Sequence, residues 1–337
     1  MLLSFILNTT AIESEVLNDW LENIFQQKSS DFEVVVIDDG VNNENLEVMS
    51  KFFKLYSEQL VLITYFQNSG ISIGRNLGLK YARGEYVIVL NPSEIPNVDF
   101  VSFITQTLEK NPKIDCIEYR VHYELDANSV FHSTIRIETN EVYQLNTPKG
   151  KSVYALTSPI LSTKVMKLSI IREYGIQFRK EIQFDSLFLY SFLAHCTEYY
   201  AIIDTLITCK FNSCRFNSLE HDNTFDLLNQ WVHILNYYNN QKIKKVLHDE
   251  LEYAFVRYYL YTFLRFISIT KKPLLIQKAY NRVKDTIDFR YKNFLKNPYL
   301  KTINKYDVFT TYCLNLSKYV KTYCRENKIV DDSKYWE

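Results

Sequence analysis

Polar residues follow the ends of two apolar runs in the first hundred residues of the chain. Asp38-Asp39-Gly40 follows the run 32–37, and Asn91-Pro92-Ser93-Glu94 follows the run 86–90. Carboxylate and amide oxygens can hold a base edge by charge-assisted hydrogen bonds, or they can bind a divalent cation. Taken alone, Asp38-Asp39-Gly40 also suits an ordinary turn. The two motifs therefore indicate a polar site only if the fold brings them together.

The glycines are concentrated beside these motifs. Five of the seven glycines lie between Gly40 and Gly84, and glycine is most useful where the backbone takes a positive φ or approaches another group closely. The run Gly70–Gly78 has neither the dinucleotide-binding GxGxxG spacing nor the phosphate-binding GxxxxGK[ST] spacing. This difference disfavours a Rossmann oxidoreductase and a P-loop enzyme.

Apolar periodicity predicts that strands and helices alternate along the chain. Strands are predicted at 2–7, 32–37, 60–66, 86–90, 114–125 and 201–208. Helices are predicted at 12–27, 44–57, 72–82, 98–110, 160–175 and 188–199, with a small hairpin before residue 152 and helix almost throughout from 225. Such alternation gives a parallel α/β sheet, which binds ligands beyond the carboxyl ends of its strands. We therefore expect Asp38-Asp39 and Asn91–Glu94 to lie close together.

The composition is that of a globular protein with two differently charged regions. The 337 residues are 47% hydrophobic and 23% charged, and the formal net charge is zero. About 19 basic and 28 acidic residues fall in 1–222, whereas about 20 and 11 fall in 223–337. We predict two domains with these bounds, of which the second is helical and basic.

Several features of the sequence favour a cytoplasmic protein. The six cysteines include no CxxC pair and no histidine at zinc-ligand spacing, which favours reduced thiols. The N-terminal apolar run lacks a basic lead-in and is too short for a signal peptide. No stretch approaches the roughly 18 apolar residues that a membrane span needs.

The order of the motifs closely resembles that of the family 2 glycosyltransferases of the GT-A fold. The residues that carry the resemblance are Asp31-Phe32-Glu33, Asp38-Asp39-Gly40, Asn68-x-Gly70-x-Ser72-x-x-Arg75-Asn76-x-Gly78-Leu79 and Ala82-x-Gly84-Glu85-Tyr86. Farther along, 161–178 resembles the acceptor-side helix of the family, and Asp185-x-x-Phe188 fits the place of its catalytic carboxylate. The resemblance is strong over 1–95, moderate over 155–218 and loose beyond. It implies an α/β GT-A fold, a mostly parallel sheet flanked by helices, with a helical C-terminal region.

The resemblance also implies roles for individual residues. Thr9 and Asp39 would contact the uridine of a UDP-sugar donor, with Asp39 accepting a hydrogen bond from the uracil ring. Arg75 would lie near the diphosphate, and Asp185 would be the general base that takes the proton of the acceptor hydroxyl. For Asp38 we favour an acid that only shapes the turn. The alternatives are an exposed helical arginine for Arg75 and a helix N-cap for Asp185.

One departure from the family pattern concerns the metal. The family carries Asp-x-Asp, which holds a divalent cation across the donor phosphates, where this chain has Asn91-Pro92-Ser93. Asn91 and Ser93 would still contact the donor, and Glu94 is the candidate metal ligand. We expect Mn²⁺ or Mg²⁺ to bind weakly, and Lys210 and Arg215 are candidates for stabilising the leaving diphosphate.

Two functions remain open from the sequence. The first is an inverting glycosyltransferase that moves a sugar from a UDP-sugar to a hydroxyl of a glycan, lipid-linked or protein-linked acceptor. The second is a non-catalytic homologue that binds nucleotide or glycan, or serves as a partner subunit. The basic region from 225, including Tyr306–Arg325, would associate with the inner face of a membrane or with a partner protein, or would simply pack as a scaffold. Its dispersed charge disfavours nucleic-acid binding.

Overall fold

The computed structural model describes residues 1–9, 12–38, 43–64, 70–125, 129–132, 135–179, 185–211, 225–264, 267 and 273–302. The chain divides into two compact units, Met1–Ser213 and Cys214–Glu337. The predicted boundary between residues 222 and 223 lies in the stretch 212–224, which is outside the described residues.

Within the described residues, the first unit is built on one ten-stranded sheet. The strands are β1 Leu3–Asn8, β2 Phe32–Asp38, β3 Leu60–Thr64, β4 Tyr86–Leu90, β5 Glu94–Pro96, β6 Cys116–Leu125, β7 Ser129–His132, β8 Glu141–Gln144, β9 Lys164–Lys167 and β10 Glu198–Phe211. The helices of this unit are α1 Ser14–Ile24, α2 Asn43–Leu55, α3 Ile71–Tyr81, α4 Phe100–Lys110, α5 Pro148–Leu156, α6 Leu168–Glu173 and α7 Asp185–Leu193. The α/β fold class is therefore confirmed.

The sheet is parallel where the first four strands meet and mixed beyond them. The strand order is β3-β2-β1-β4-β9-β6-β10-β5, with β7 on β6 and β8 on β10. β1 pairs in parallel with both β2 and β4, so the carboxyl ends of these three strands share one edge. β9 runs antiparallel to β4 and to β6, and it joins the two halves of the sheet. The predicted parallel arrangement is thus confirmed for β1 to β4.

Two predicted helices differ from the structure. The stretch 160–175 holds a 3₁₀ turn at Leu161–Thr163, then β9 and then the short helix α6. The sequence Lys164-Val165-Met166-Lys167 becomes a strand because the sheet offers it two neighbours, and tertiary pairing outweighs local periodicity. The predicted helix 188–199 ends at Leu193, and β10 begins at Glu198. The hairpin expected in the polar stretch between residues 125 and 152 is not formed by the described strands of that stretch, because β7 pairs with β6 and β8 pairs with β10.

A hydrophobic core packs against the strands whose carboxyl ends form the shared edge. Every residue of β1, β2 and β4 is buried, as expected for parallel strands covered on both faces. Phe5, Trp20 and Phe100 belong to one buried cluster, and the rings of Phe5 and Phe100 lie 5.7 Å apart. The shared edge is therefore held by a packed interior.

Helix α3 lies unusually close to β1 because two of its residues are glycines. A Cβ at Gly78 would be 2.4 Å from Cγ2 of Ile6 and 2.9 Å from Cδ1 of Ile37. A Cβ at Gly74 would be 1.8 Å from the Asn8 side-chain nitrogen. Of the two roles that the sequence left open for these glycines, the structure shows close approach, and this approach places α3 near the shared edge.

The described part of the second unit is helical, as predicted. Its helices are α8 Asp226–Asn240, α9 His248–Arg257, α10 Pro273–Arg290 and α11 Pro298–Thr302, and α9 continues as a π-helical turn over Tyr258–Phe263. Aromatic side chains form much of its core, including the edge-on pair Trp231 and Phe255 with ring centroids 5.8 Å apart. None of the helices in the described part of the chain combines the length and apolar character that a membrane crossing needs.

The close contact of α3 with the sheet gives a stability prediction. We expect Gly78→Ala to lower the free energy of unfolding by about 1–3 kcal/mol, because the added methyl overpacks against Ile6 and Ile37. Urea unfolding measures this value. Lys80→Ala, on the exposed side of the same helix, is the matched control and should change stability by less than about 0.5 kcal/mol. Equal effects of the two substitutions would contradict the close packing.

Candidate active site

The shared edge brings the two polar motifs of the sequence near each other. In the register of the sheet, Leu7 of β1 lies beside Leu90 of β4, and Asn8 lies beside Ile37 of β2. Asp38 and Asn91 therefore flank the end of β1, as the predicted topology required.

Thr9 and Asp38 form a buried polar pair at this edge. The Thr9 hydroxyl donates to Oδ1 of Asp38 over 2.8 Å, and both residues are about 1% exposed. This bond ties the ends of β1 and β2 together, which agrees with the turn-shaping role favoured for Asp38. Asp39 lies outside the described residues, so its contact with a uracil ring stays a prediction.

Arg75 is the residue on which the other candidate side chains converge. Its Nη1 donates to Oδ1 of Asp185 over 2.5 Å, and its Nη2 donates to Oδ1 of Asn91 over 3.2 Å. The guanidinium also lies over the ring of Phe178, 5.2 Å from the centroid. Arg75 is 5% exposed, so the alternative of an exposed helical arginine is wrong. The fold thus joins three predicted site residues that are far apart in sequence.

Asp185 is the first residue of α7 and remains partly open to solvent. Its side chain is 26% exposed, against 6% for that of Arg75. The arginine therefore holds one oxygen of an accessible carboxylate in a fixed place. Such a carboxylate can accept a proton from a hydroxyl group that comes within hydrogen-bond reach.

The segment that supports this ion pair was not identified from the sequence. Asn76 donates to the backbone oxygen of Phe178 over 2.8 Å and accepts from its nitrogen over 2.8 Å. Phe178 in turn stacks on Phe188 of α7, with ring centroids 4.1 Å apart. The available signal was the position of Asn76, next to Arg75 in the glycine-rich motif.

Glu94 turns into the protein and closes the loop after β4. Its Oε2 accepts from the backbone nitrogen of Asn91 over 2.7 Å, and its Oε1 accepts from the hydroxyl of Ser162 over 2.5 Å. Its own backbone oxygen accepts from the indole of Trp20 over 2.9 Å. Glu94 is 5% exposed, and each carboxylate oxygen already has a protein donor. Ser162 and Trp20 carried no signal of this role in the sequence.

Ser93 and Lys210 lie on the other side of the same loop. The backbone nitrogen of Lys210 donates to the oxygen of Ser93 over 2.9 Å, and the hydroxyl of Ser93 is 3.7 Å from Sγ of Cys209. Lys210 is exposed and therefore adds positive charge beside the loop. Arg215 lies outside the described residues.

The described residues around this loop do not fit a tightly bound divalent cation. Such an ion prefers carboxylate oxygens, but the first and third positions of the motif are Asn91 and Ser93. The Asn91 oxygen accepts from Arg75, and the Glu94 oxygens accept from protein donors. Metal binding by Glu94 stays a prediction.

Burial raises the pKa of Glu94 to about 7. Desolvation is the main cause, and the nearby charge of Asp185 adds to it. The hydrogen bonds from Ser162 and Asn91 and the charge of Arg75 act in the opposite direction. Because the folded state holds this proton more tightly than the unfolded state, its contribution to stability is full below about pH 4.5 and is lost as the pH rises through about 7.

This linkage predicts the effect of Glu94→Gln on the pH dependence of unfolding. Between pH 4.5 and pH 8 the wild type should lose roughly 2–3 kcal/mol relative to the variant, because the amide does not ionise. Urea unfolding of both proteins across this range gives the difference. Glu58→Gln, at an exposed glutamate, controls for removing a carboxylate. Parallel stability curves for the wild type and Glu94→Gln would contradict a raised pKa.

Comparisons with known proteins agree on one family. Residues 7–172 match the family model described as glycosyl transferase family 2. An uncharacterized glycosyltransferase of Haemophilus influenzae is 28% identical over 122 residues, which are 36% of this chain and 40% of that protein. A poly-beta-1,6-N-acetyl-D-glucosamine synthase of Staphylococcus epidermidis is 27% identical over 105 residues, 31% of this chain and 25% of that protein. These matches thus span less than half the length of the curated relatives.

Solved structures show the same fold. The crystal structure of S. aureus TarS in complex with UDP-GlcNAc superposes with a TM-score of 0.61 at 16% identity, and the match covers 87% of this chain and 92% of that one. The mostly parallel sheet and the motifs at its carboxyl edge agree with these likenesses. Residues 7–172 form a glycosyl transferase family 2 domain, and the fold is that of the GT-A glycosyltransferases.

Proposed function

We propose that this glycosyltransferase moves a sugar from a UDP-sugar to a hydroxyl of a glycan, lipid-linked or protein-linked acceptor, with inversion at the anomeric carbon. The observation that carries the proposal is the contact of Arg75 with both Asp185 and Asn91 at the carboxyl edge of β1 and β4. The complex of TarS with UDP-GlcNAc supports a nucleotide-sugar donor. The relationship to a polysaccharide synthase supports a glycan acceptor.

The donor would lie across the ends of β1, β2 and β4. Thr9 and Asp39 would contact the uridine, with Asn91, Ser93 and Arg75 under the diphosphate. An arginine carries five N–H donors, and contacts with Asp185 and Asn91 use two of those on Arg75. The remaining N–H groups can donate to phosphate oxygens while the ion pair stays in place.

Asp185 would act as the general base. The acceptor oxygen attacks the anomeric carbon from the face opposite UDP, so the new C–O bond forms as the bond to the β-phosphate oxygen breaks. The hydroxyl proton passes to a carboxylate oxygen of Asp185, and the bonding electrons leave with UDP. A carboxylate suits this step because the hydroxyl becomes strongly acidic only late in the transition state.

The charge on the leaving UDP would be stabilised mainly by cations of the protein. Arg75 lies beside Asn91, and Lys210 lies near the end of β10, where its backbone nitrogen donates to the oxygen of Ser93. Fixed positive groups aimed at developing charge can stabilise a transition state without a metal. Arg215 is a further candidate from the sequence. Mn²⁺ or Mg²⁺ would then bind weakly and add to a site that already works.

The second unit would associate with a membrane surface or a partner protein. Tyr306–Arg325, the segment named for this role from the sequence, lies outside the described residues. Leu274 and Phe289 are exposed on α10, at 83% and 88%. Lysines and arginines are frequent on the same helix, and basic surfaces with apolar side chains favour anionic membranes. Peripheral association on the cytoplasmic face of a membrane remains part of the proposal.

Replacing the base tests the mechanism most directly. We expect Asp185→Asn to keep UDP binding and to lower sugar transfer by about 10²–10⁴-fold, because the amide cannot take the acceptor proton. Transfer assays with purified protein measure the rate, and calorimetry measures UDP affinity. Asp204→Asn, at an exposed position on β10, is the control and should leave the rate unchanged. Near-normal turnover of Asp185→Asn would move the role to another residue.

Chelation tests the part of the proposal that concerns metal. We expect transfer or donor hydrolysis to persist within about tenfold in excess EDTA, because Arg75 and its neighbours supply fixed positive charge. Ser93→Asp should strengthen the response to Mn²⁺ by restoring a carboxylate at the third position of the motif. Complete loss on chelation that micromolar Mn²⁺ restores would refute weak metal dependence. No activity with any donor, with or without metal, would favour the non-catalytic alternative.

A further inference from the structure

Glu94 is held from three sides by groups on different elements. Trp20 of α1 donates to its backbone oxygen over 2.9 Å, and Ser162 of the 3₁₀ turn donates to Oε1 over 2.5 Å. Ser162 is itself fixed, since Tyr119 of β6 donates to its backbone oxygen over 2.6 Å. The remaining oxygen, Oε2, accepts from the backbone nitrogen of Asn91 over 2.7 Å. The carboxylate therefore bridges the loop after β4 and the segment before β9.

The bridge leads directly to the cluster around Arg75. The same loop is closed a second time by the Glu94 nitrogen, which donates to the Asn91 oxygen over 2.9 Å. These two bonds set the orientation of Asn91, and its side-chain oxygen accepts from Nη2 of Arg75 over 3.2 Å. Arg75 in turn holds Asp185. A displacement of the loop would therefore be passed to both the guanidinium and the predicted base.

We propose that Glu94 is a positioning residue of the transfer reaction: it holds the Asn91-Pro92-Ser93 loop where Asn91 can fix the guanidinium of Arg75, and it is not a metal ligand. The expected effect on the rate of transfer rests on the proposed function, whereas the expected effect on the position of Asn91 does not. An error of about 1 Å in the placing of a reacting group can lower a rate by about 10²-fold, so a residue without substrate contact can matter this much.

The surroundings of Glu94 favour a buried bridge over a ligand. The charged and titratable groups that face it are Arg75, Asp185, Tyr119, Tyr123 and Cys209. Arg75 is the cation among these groups, and it is already paired with Asp185. A glutamine would keep the shape of the bridge, because its oxygen can accept from Asn91 while its amide group donates to the Ser162 hydroxyl. A metal ligand would lose its charged oxygen in the same substitution and would bind the ion more weakly.

Crystal structures of Glu94→Ala and Glu94→Gln test the positional claim without any assay. We expect the contact between Asn91 Oδ1 and Arg75 Nη2 to be lost in the alanine variant and kept in the glutamine variant. An unchanged contact in Glu94→Ala would overturn the proposal, even if the protein proves to be a glycosyltransferase of the proposed kind. If the alanine variant fails to fold, Ser162→Ala removes one support and should displace the same contact.

Kinetics of the same variants test the consequence for the reaction. In EDTA, Glu94→Ala should lower kcat/KM by about 10²-fold, and Glu94→Gln should stay within about 5-fold of the wild type. If Glu94 acts through Asn91, adding Glu94→Ala to Asn91→Ala should lower kcat/KM by less than about 3-fold further. A role in stability alone would give the same loss in both backgrounds. A loss in Glu94→Gln equal to that in Glu94→Ala, with added Mn²⁺ restoring either, would show a metal ligand and overturn the proposal.

The experiments give different results if the proposed function is wrong and if only the role of Glu94 is wrong. If the wild type transfers no sugar and hydrolyses no donor, the function proposed above is wrong, and the crystal structures still decide whether Glu94 positions Asn91. If transfer is found but Glu94→Ala retains full activity and an unmoved loop, only the present inference is wrong.

Discussion

The site depends on a buried guanidinium. Arginine keeps its charge at any pH that the folded protein meets, so a side chain that is 6% exposed must find its partners inside the protein. Arg75 finds a carboxylate on α7, an amide oxygen after β4 and an aromatic face at Phe178. Because removal of a partner leaves a buried charge uncompensated, these three elements must meet at one point. Asp185, Asn91 and the segment at Phe178 are thus linked through one residue.

The sheet makes this meeting possible by letting α3 come close. Gly74 and Gly78 place no side chain between the helix and β1. The backbone of Arg75 therefore lies near the strand ends. Asn76, one residue farther along, binds both backbone polar groups of Phe178. The glycine-rich motif consequently has three structural roles: it packs closely on β1, it supplies a buried cation, and it binds the backbone of Phe178.

The sequence allowed the first four strands to be predicted, because each is a nearly continuous apolar run between polar turns. The family was indicated by the resemblance of the ordered motifs. Prediction from the sequence failed at β9, whose four residues Lys164-Val165-Met166-Lys167 lie within a stretch of helical periodicity. Only the neighbours β4 and β6 make them a strand. The positions of Arg75, Asn91 and Asp185 could be predicted as members of one site. The direction in which the Glu94 side chain points could not, since it depends on the hydroxyl of Ser162, which is distant in sequence.

The late position of β9 in the chain has a consequence for the order in which the sheet assembles. In the described structure β4 and β6 are not neighbours, and β9 pairs with both. A ribosome must therefore deliver residues 164–167 before the two halves of the sheet can join. Until then β4 and β6 each present an unpaired edge, which is the kind of surface on which chains associate wrongly. A nascent chain that pauses before this strand would leave both of these edges open to other chains.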